Sequence, residues 1–265
     1  MANISTMAPP AGQPRRRIVH AGLLEGLYRF GSIVAALLIW EALILIFKPP
    51  VYFIPAPSDI AGALVRGKDL YLEHYGITLF RTFIAFVSAL IAGITLGTLI
   101  SEVKFFSRTI YPILVSFQSM PKVALAPIVI VWFGFGSLSK IILGAFAAFF
   151  PVYLNTLHGL KGIDQDQLTL MRSLRASRWQ TFWKVKFPNA LPYILAGANI
   201  AIIYATLSVI VGEFLGSNNG MGYLIINQSN QMDTAGVFAN ILILSATGLF
   251  FHYAILFVRN KAVFW

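Results

Sequence analysis

Apolar runs of membrane-crossing length recur along the chain with polar intervals between them. Tyr28–Phe47, Thr78–Ile100, Ile110–Phe135, Leu138–Leu160, Pro192–Phe214 and Gly236–Val258 are each mostly apolar. Each is about the 20 residues that a helix needs to cross a hydrocarbon core. The pattern predicts an all-α integral membrane protein with about six transmembrane helices and both termini on one side. Between the first two runs, KPPVYFIPAPSDI carries Pro49, Pro50, Pro55 and Pro57, which rule out a continuous helix. Ser58 before Asp59 predicts the N-cap of a short surface helix running to about Tyr71. Residues 101–109 read as a short loop, Gly134–Ser139 as a turn, and 216–236, which has no basic residue, as an outer loop or re-entrant piece.

The longest polar interval is Lys161–Pro192, KGIDQDQLTLMRSLRASRWQTFWKVKFPNALP. At helical spacing it divides into two short pieces. Leu168, Met171 and Leu174 share one face of the first. In the second, Trp179, Phe182, Trp183 and Phe187 recur at i, i+3, i+4 and i+8 beside Arg178, Lys184 and Lys186. Two basic amphipathic helices between spans fit either a bilayer surface or a docking partner.

Composition agrees with membrane insertion: 57% of residues are hydrophobic and only 11% charged, with mean hydropathy +0.74. Soluble domains carry about 25% charged residues. The net charge of +10 points to cytoplasmic loops rather than nucleic acid. Arg15–Arg17, Lys104, Arg108, the 161–190 interval, Arg259 and Lys261 fall on one side, which predicts cytoplasmic termini. Lys48, Arg66, Lys68 and Lys140 fall on the other. The chain then divides into a mobile basic tail (1–27), a first span with its outer segment (28–77), a core (78–258) holding the loop 161–190, and a C-terminal end (259–265). The first span follows its basic tail without a clear small-residue cleavage site and reads as a retained anchor.

Several polar residues lie in or near the spans. The third run holds Pro112, Pro121 and Pro127, with Lys122 near its middle. Prolines free backbone carbonyls, which hydrocarbon tolerates only where protein or a watery cavity receives them. A mid-span lysine costs about 3 kcal/mol on insertion scales. Either this broken run lines a path for a polar or anionic solute, or Lys122 snorkels or pairs with a carboxylate. Glu41 is either intramembrane or reaches water at the outer interface. Glu213 either gates the outer end or holds the 212–222 segment through backbone N–H groups. His158 reads as an interfacial residue. Gly93 and Gly97, four apart, allow close approach of another backbone.

Enzyme signatures are absent. No lysine is followed by Ser or Thr, so there is no Walker A phosphate loop, and neither HExxH nor GxSxG occurs. With no cysteine, disulfides and Cys-ligated metal sites are excluded, and no metal site is expected. The remaining classes are a channel, an ion-coupled carrier, or a membrane subunit powered by another protein. The last explains why the largest polar feature is a docking surface.

Leu174–Pro192, LRASRWQTFWKVKFPNALP, resembles the cytoplasmic loop of binding-protein-dependent ABC importer permeases, most closely the nitrate/sulfonate/taurine group. PKVALAPIVIVWFGFGSLSK (Pro121–Lys140), FFPVYLNTLHGL (Phe149–Leu160), VGEFLGSNNGMGYLI (Val211–Ile225) and IPAPSDI (Ile54–Ile60) are similar too, so the match runs from about residue 50 to the C-terminus. The family pattern is Glu-Ala-Ala, three residues, then Gly. Here Thr169, Leu170 and Met171 stand at the first three positions and Arg175 at the Gly, with Asp166 the nearest acid. An L-residue forced to positive φ there costs about 1 kcal/mol, so the turn is either right-handed or strained. The resemblance implies a type I (MetI-like) core and a homodimer in a bacterial cytoplasmic membrane. It also implies two separate ATPase subunits that use ATP and an external solute-binding protein, with no catalysis by this chain. ATPase docking falls on Asp166, Leu168, Thr169, Met171, Arg172, Leu174, Arg175, Ala176, Ser177 and Arg178, with Leu168, Met171 and Leu174 as the knob. Pathway candidates are Lys122, Pro121, Pro127 and Glu213. Sulfonates, taurine, nitrate and heterocyclic vitamin precursors are the solutes such permeases serve.

Overall fold

The computed structural model describes residues 16–263 apart from Val51, and every regular element among them is helical. In chain order these are α1 (Arg16–Phe47), α2 (Pro57–Arg66), α3 (Lys68–Glu102), α4 (Lys104–Gln118), α5 (Ala126–Phe133) and α6 (Ser137–Lys161). There follow α7 (Gln165–Ser173), α8 (Arg178–Thr181), α9 (Phe187–Gly216), α10 (Met221–Asn230) and α11 (Thr234–Ala262). In lipid a backbone N–H finds no water, so helices are the economical way to satisfy it.

The core is formed by α3, α6 and α9, and it is built from small residues. Apolar side chains gain little by leaving lipid for one another, so close backbone approach supplies the packing. Ala85, Ala89, Ala148, Ala201 and Ala205 are fully buried at this contact. Gly93 and Gly97 meet α6: a Cβ on Gly93 would lie 2.7 Å from Val152 Cβ, and one on Gly97 2.9 Å from Thr156 Cβ. The sequence spacing leaves the partner of these glycines open, and it is α6. Helices α1 and α11 lie outside this core. Among the described side chains, Trp40 of α1 packs on Phe238 of α11, ring centroids 6.1 Å apart.

Among the described residues, four helical stretches are long and apolar enough to cross a membrane, or five if the bent pair α4–α5 counts as one; residues Gly31–Phe47 of α1 add a shorter apolar helix. About six crossings is therefore an approximate count. Boundaries differ from expectation in several places. Residues 16–27, expected as mobile tail, are helical, and the rest of that tail lies outside the described residues. The surface helix ends at Arg66, and 68–77 belong to α3, because no proline interrupts the chain between Gly67 and Thr78. The loop expected at 101–109 shrinks to Val103 alone, with helix on either side. Ser58 is not the N-cap of α2. That residue is Ala56, with Pro57 in the first turn, and Asp59 Oδ2 accepts from the Ala56 N–H at 3.2 Å. Ser58 instead donates its N–H and its hydroxyl to Glu41, at 3.0 and 2.7 Å, tying α2 to α1.

Candidate functional site

The charged Lys161–Pro192 interval forms a helix–turn–helix at one end of the bundle. Asp164 caps α7, its Oδ1 accepting from the Asp166 N–H at 2.9 Å. Helix α7 closes in a Schellman arrangement. The Ala176 N–H donates to Met171 O at 3.0 Å and the Arg175 N–H to Arg172 O at 2.9 Å. This closure needs a left-handed residue, and Arg175 takes it with φ +51°. The strained alternative is therefore the one realised, at the position where the family pattern has glycine. Ser177 then opens α8 with a capping box: its N–H donates to Gln180 Oε1 at 2.9 Å and the Gln180 N–H returns to Ser177 Oγ at 3.2 Å.

Beyond α8 the chain does not break before the next span. A π-helical stretch, Phe182–Lys186, joins α8 to α9, giving one helix of 39 residues, Arg178–Gly216. The expected separate second helix and the expected span start at Pro192 are thus both replaced. Pro188 explains the widened turn, since it has no N–H to give and its ring crowds the carbonyl four residues back. Lys186 Nζ pairs with Glu102 Oε1 at 2.6 Å, fixing this stretch to the end of α3.

The expected apolar knob is rearranged. Leu168 and Met171 are half-buried, whereas Leu170 and Leu174 are 59% and 67% exposed and Trp179 is 71% exposed. The outward apolar face is therefore Leu170, Leu174 and Trp179, a face that the i, i+3, i+6 reading misses and that an i, i+4 reading finds. Arg172, Arg175, Arg178, Asp166, Thr169 and Ser177 are exposed around it, and Ala176 is half-buried.

The third run is not one kinked helix. Helix α4 stops at Gln118, a 3-10 turn spans Lys122–Leu125, and α5 leaves at 95° to α4. Pro127 falls in the first turn of α5, where a missing N–H costs nothing, and Pro121 precedes the 3-10 turn. Lys122 sits at the break. Its Nζ donates to Gln118 O at 3.0 Å and lies 4.9 Å from the centroid of Phe150, which is about halfway along α6. Among the described residues no carboxylate is in ion-pair range of it. A freed helix-end carbonyl and an aromatic ring hold this lysine.

At the opposite end of the bundle the structure assembles a buried charged cluster. Arg81 of α3 pairs with Glu213 of α9 at 2.7 Å, with side-chain exposures of 4% and 0%. Glu213 also accepts from Thr78 Oγ1 at 3.0 Å and from the Gly222 N–H at 2.9 Å. Arg81 further donates to Ser137 Oγ, Asn219 O and Asn219 Oδ1. Thr78 Oγ1 accepts from the Met221 N–H at 2.7 Å and His74 Nδ1 from the Gly220 N–H at 3.0 Å. Side chains of α3 and α9 thus satisfy the orphan donors at the start of α10. Lys140, expected as an outward-facing charge, is fully buried and donates to Phe135 O and Gly216 O. Sequence reasoning misses Arg81, although a lone arginine inside the apolar run 78–100 is the signal that marks it. Among the described residues no group of three or more acidic, His or Cys side chains could hold a metal ion.

Residues 89–261 match the family model of the binding-protein-dependent transport system inner membrane component. The chain belongs to this family. The permease is 34% identical over 230 residues to the formylaminopyrimidine transport permease protein of Halalkalibacterium halodurans, covering 86% of this chain and 92% of that one. It is 31% identical over 249 residues to a putative aliphatic sulfonates transport permease protein of Bacillus subtilis, covering 92% and 88%. Among solved structures, an inward-facing form of the MetNI methionine ABC transporter aligns with TM-score 0.61 at 21% identity, covering 70% of this chain and 93% of that chain. The permease is therefore a multi-pass ABC importer subunit with a MetI-type fold, in the sulfonate/taurine/nitrate group.

Proposed function

We propose that the permease works as a homodimer in the bacterial cytoplasmic membrane, with its termini and the 161–190 loop in the cytoplasm. Two separate ATPase subunits seat on the loop and hydrolyse ATP, and an external binding protein delivers the solute. The observation that carries this reading is the capped helix–turn–helix at 164–181. It presents Leu170, Leu174 and Trp179 outward among Arg172, Arg175 and Arg178. An apolar centre rimmed by arginines has the make-up of a small transient interface. Alternating access then follows from differential binding of the ATPase states to this loop. The basic residues concentrated on the loop side support the orientation.

An ion-coupled carrier needs a free titratable group within its spans. Glu213 is occupied by Arg81, Thr78 and Gly222, and Glu41 by Ser58. That weighs for an external energy source.

For the solute, the two relatives point to different chemistries, a formylaminopyrimidine and aliphatic sulfonates. The cation at the 95° break favours an anion such as a sulfonate, taurine or nitrate. Its path would pass Lys122, Pro121 and Pro127, with Glu213 closing off the outer end. The test is uptake of an aliphatic sulfonate by vesicles containing the assembled transporter. Lys122→Gln is expected to lower uptake at least about tenfold, since one hydrogen bond to a charged group contributes about 1.5–3 kcal/mol. Unchanged uptake with normal insertion would refute the role of Lys122.

A further inference from the structure

The buried ammonium of Lys140 is used by none of the functions above, and it occupies an unusual place. It extends from the first turn of α6 and donates to two carbonyls, Phe135 O just beyond the end of α5 and Gly216 O at the end of α9. Gly216 O is an unpaired carbonyl at the negative end of the α9 dipole and Phe135 O belongs to the turn between α5 and α6, so one cation joins that turn to the end of α9. The neighbouring carboxylate, Glu213, is paired with Arg81. Packing makes the same connection: a Cβ on Gly216 would collide with the Phe135 ring, so only glycine lets the α5–α6 turn approach this closely. At its other end the broken span meets α6 through Lys122 over the Phe150 ring. Helix α5 has only eight residues, too few for independent stability, and two of them, Ala126 and Ile130, are buried.

We propose that Lys140 is a positioning residue that pins the half-helix α5 onto the junction of α6 and α9. Its consequence for solute passage rests on the reading of the broken span as the pathway, but the pinning itself does not. Movement of the 39-residue α8–α9 rod, whose near end carries the docking loop, then reaches α5 through this side chain together with the packing of Phe135 on Gly216.

The chain has no cysteine, so single reporters are clean. Ile130→Cys reports on α5 and Ala89→Cys on the α3–α6–α9 core; both sites are buried. In the full chain in membranes, reaction of the introduced thiol at position 130 with N-ethylmaleimide is expected to quicken about tenfold or more in Lys140→Met, through local opening of α5. Reaction at position 89 is expected to stay unchanged. Lys140→Arg, which keeps charged donors, is expected to restore protection at position 130. Equal rates at position 130 with and without Lys140, or equal acceleration at both sites, would overturn the proposal, the second result making Lys140 a general fold residue. If Lys140→Met does not accumulate, the milder Lys140→Gln carries the same comparison and the same results decide it. Absence of an ATPase partner would sink the importer mechanism without touching this labelling result.

Discussion

Replacing Arg175 by glycine is expected to tighten the turn that carries the docking surface. Arg175 holds φ +51° so that Ala176 and its own N–H can close α7 onto Met171 and Arg172. A left-handed conformation costs an L-residue about 1–2 kcal/mol, because Cβ crowds the following carbonyl. Glycine removes that cost but has more backbone freedom to lose, about 0.5–1 kcal/mol. The net gain is about 0.5–1 kcal/mol, which is a factor of about two to five in the closing equilibrium. Backbone hydrogen exchange of the Ala176 amide reads this directly, once corrected for the intrinsic rate of each sequence. Arg175→Ala is the control: it removes the guanidinium but keeps the Cβ, and its protection is expected to match the wild type. Arg175→Pro fixes φ near about −65° and removes the N–H given to Arg172, so loss of protection across 171–177 is expected. Equal or faster exchange in Arg175→Gly would refute the claim that this turn is strained.

Two further substitutions probe the spans. Gly93→Ala places a Cβ 2.7 Å from Val152 Cβ and 3.0 Å from Tyr153 N. A destabilisation of about 1–3 kcal/mol is expected, seen as a lower melting temperature in detergent; Gly76→Ala, with nothing within 4 Å, is expected to leave it unchanged. Arg81→Met leaves Glu213 buried without its cation and is expected to cost about 3–5 kcal/mol. Loss of monodisperse protein is expected for it, with partial recovery on adding Glu213→Gln; a single variant as stable as wild type would contradict the buried pair.

What could be read from the sequence follows from which signals are local. Span-length hydropathy marks α3, α6, α9 and α11 because each crossing must be apolar over its whole length. Whereas the cap expected at Ser58 falls at Ala56, the break of the Pro121–Pro127 region is also local, since prolines act within one turn. The 95° angle between α4 and α5 is not, because it depends on what receives the freed carbonyls, and that includes Lys122 itself. The charged cluster is hidden for a similar reason. Arg81, Lys140 and Glu213 lie on three helices, and the chain between them gives no hint that they converge. Taken singly, Lys140 reads as an outer-loop charge, and only tertiary contact turns it inward. The outward face of α7 fails on phase: with nine residues, i+3 and i+4 steps fit equally well, and only the fold leaves Leu168 and Met171 half-buried and Leu170 and Leu174 exposed.

In the proposed mechanism an ATPase seated on Leu170, Leu174 and Trp179 drives this permease. Its most direct test is affinity purification of the tagged permease from membranes of its own cells after mild crosslinking, comparing wild type with Leu170→Asp/Leu174→Asp. The expected result is co-purification of a protein carrying a nucleotide-binding phosphate loop with the wild type, and its loss with the double variant at equal permease yield. If no such protein accompanies even the wild type, or if the double variant retains it in full, the docking account is contradicted.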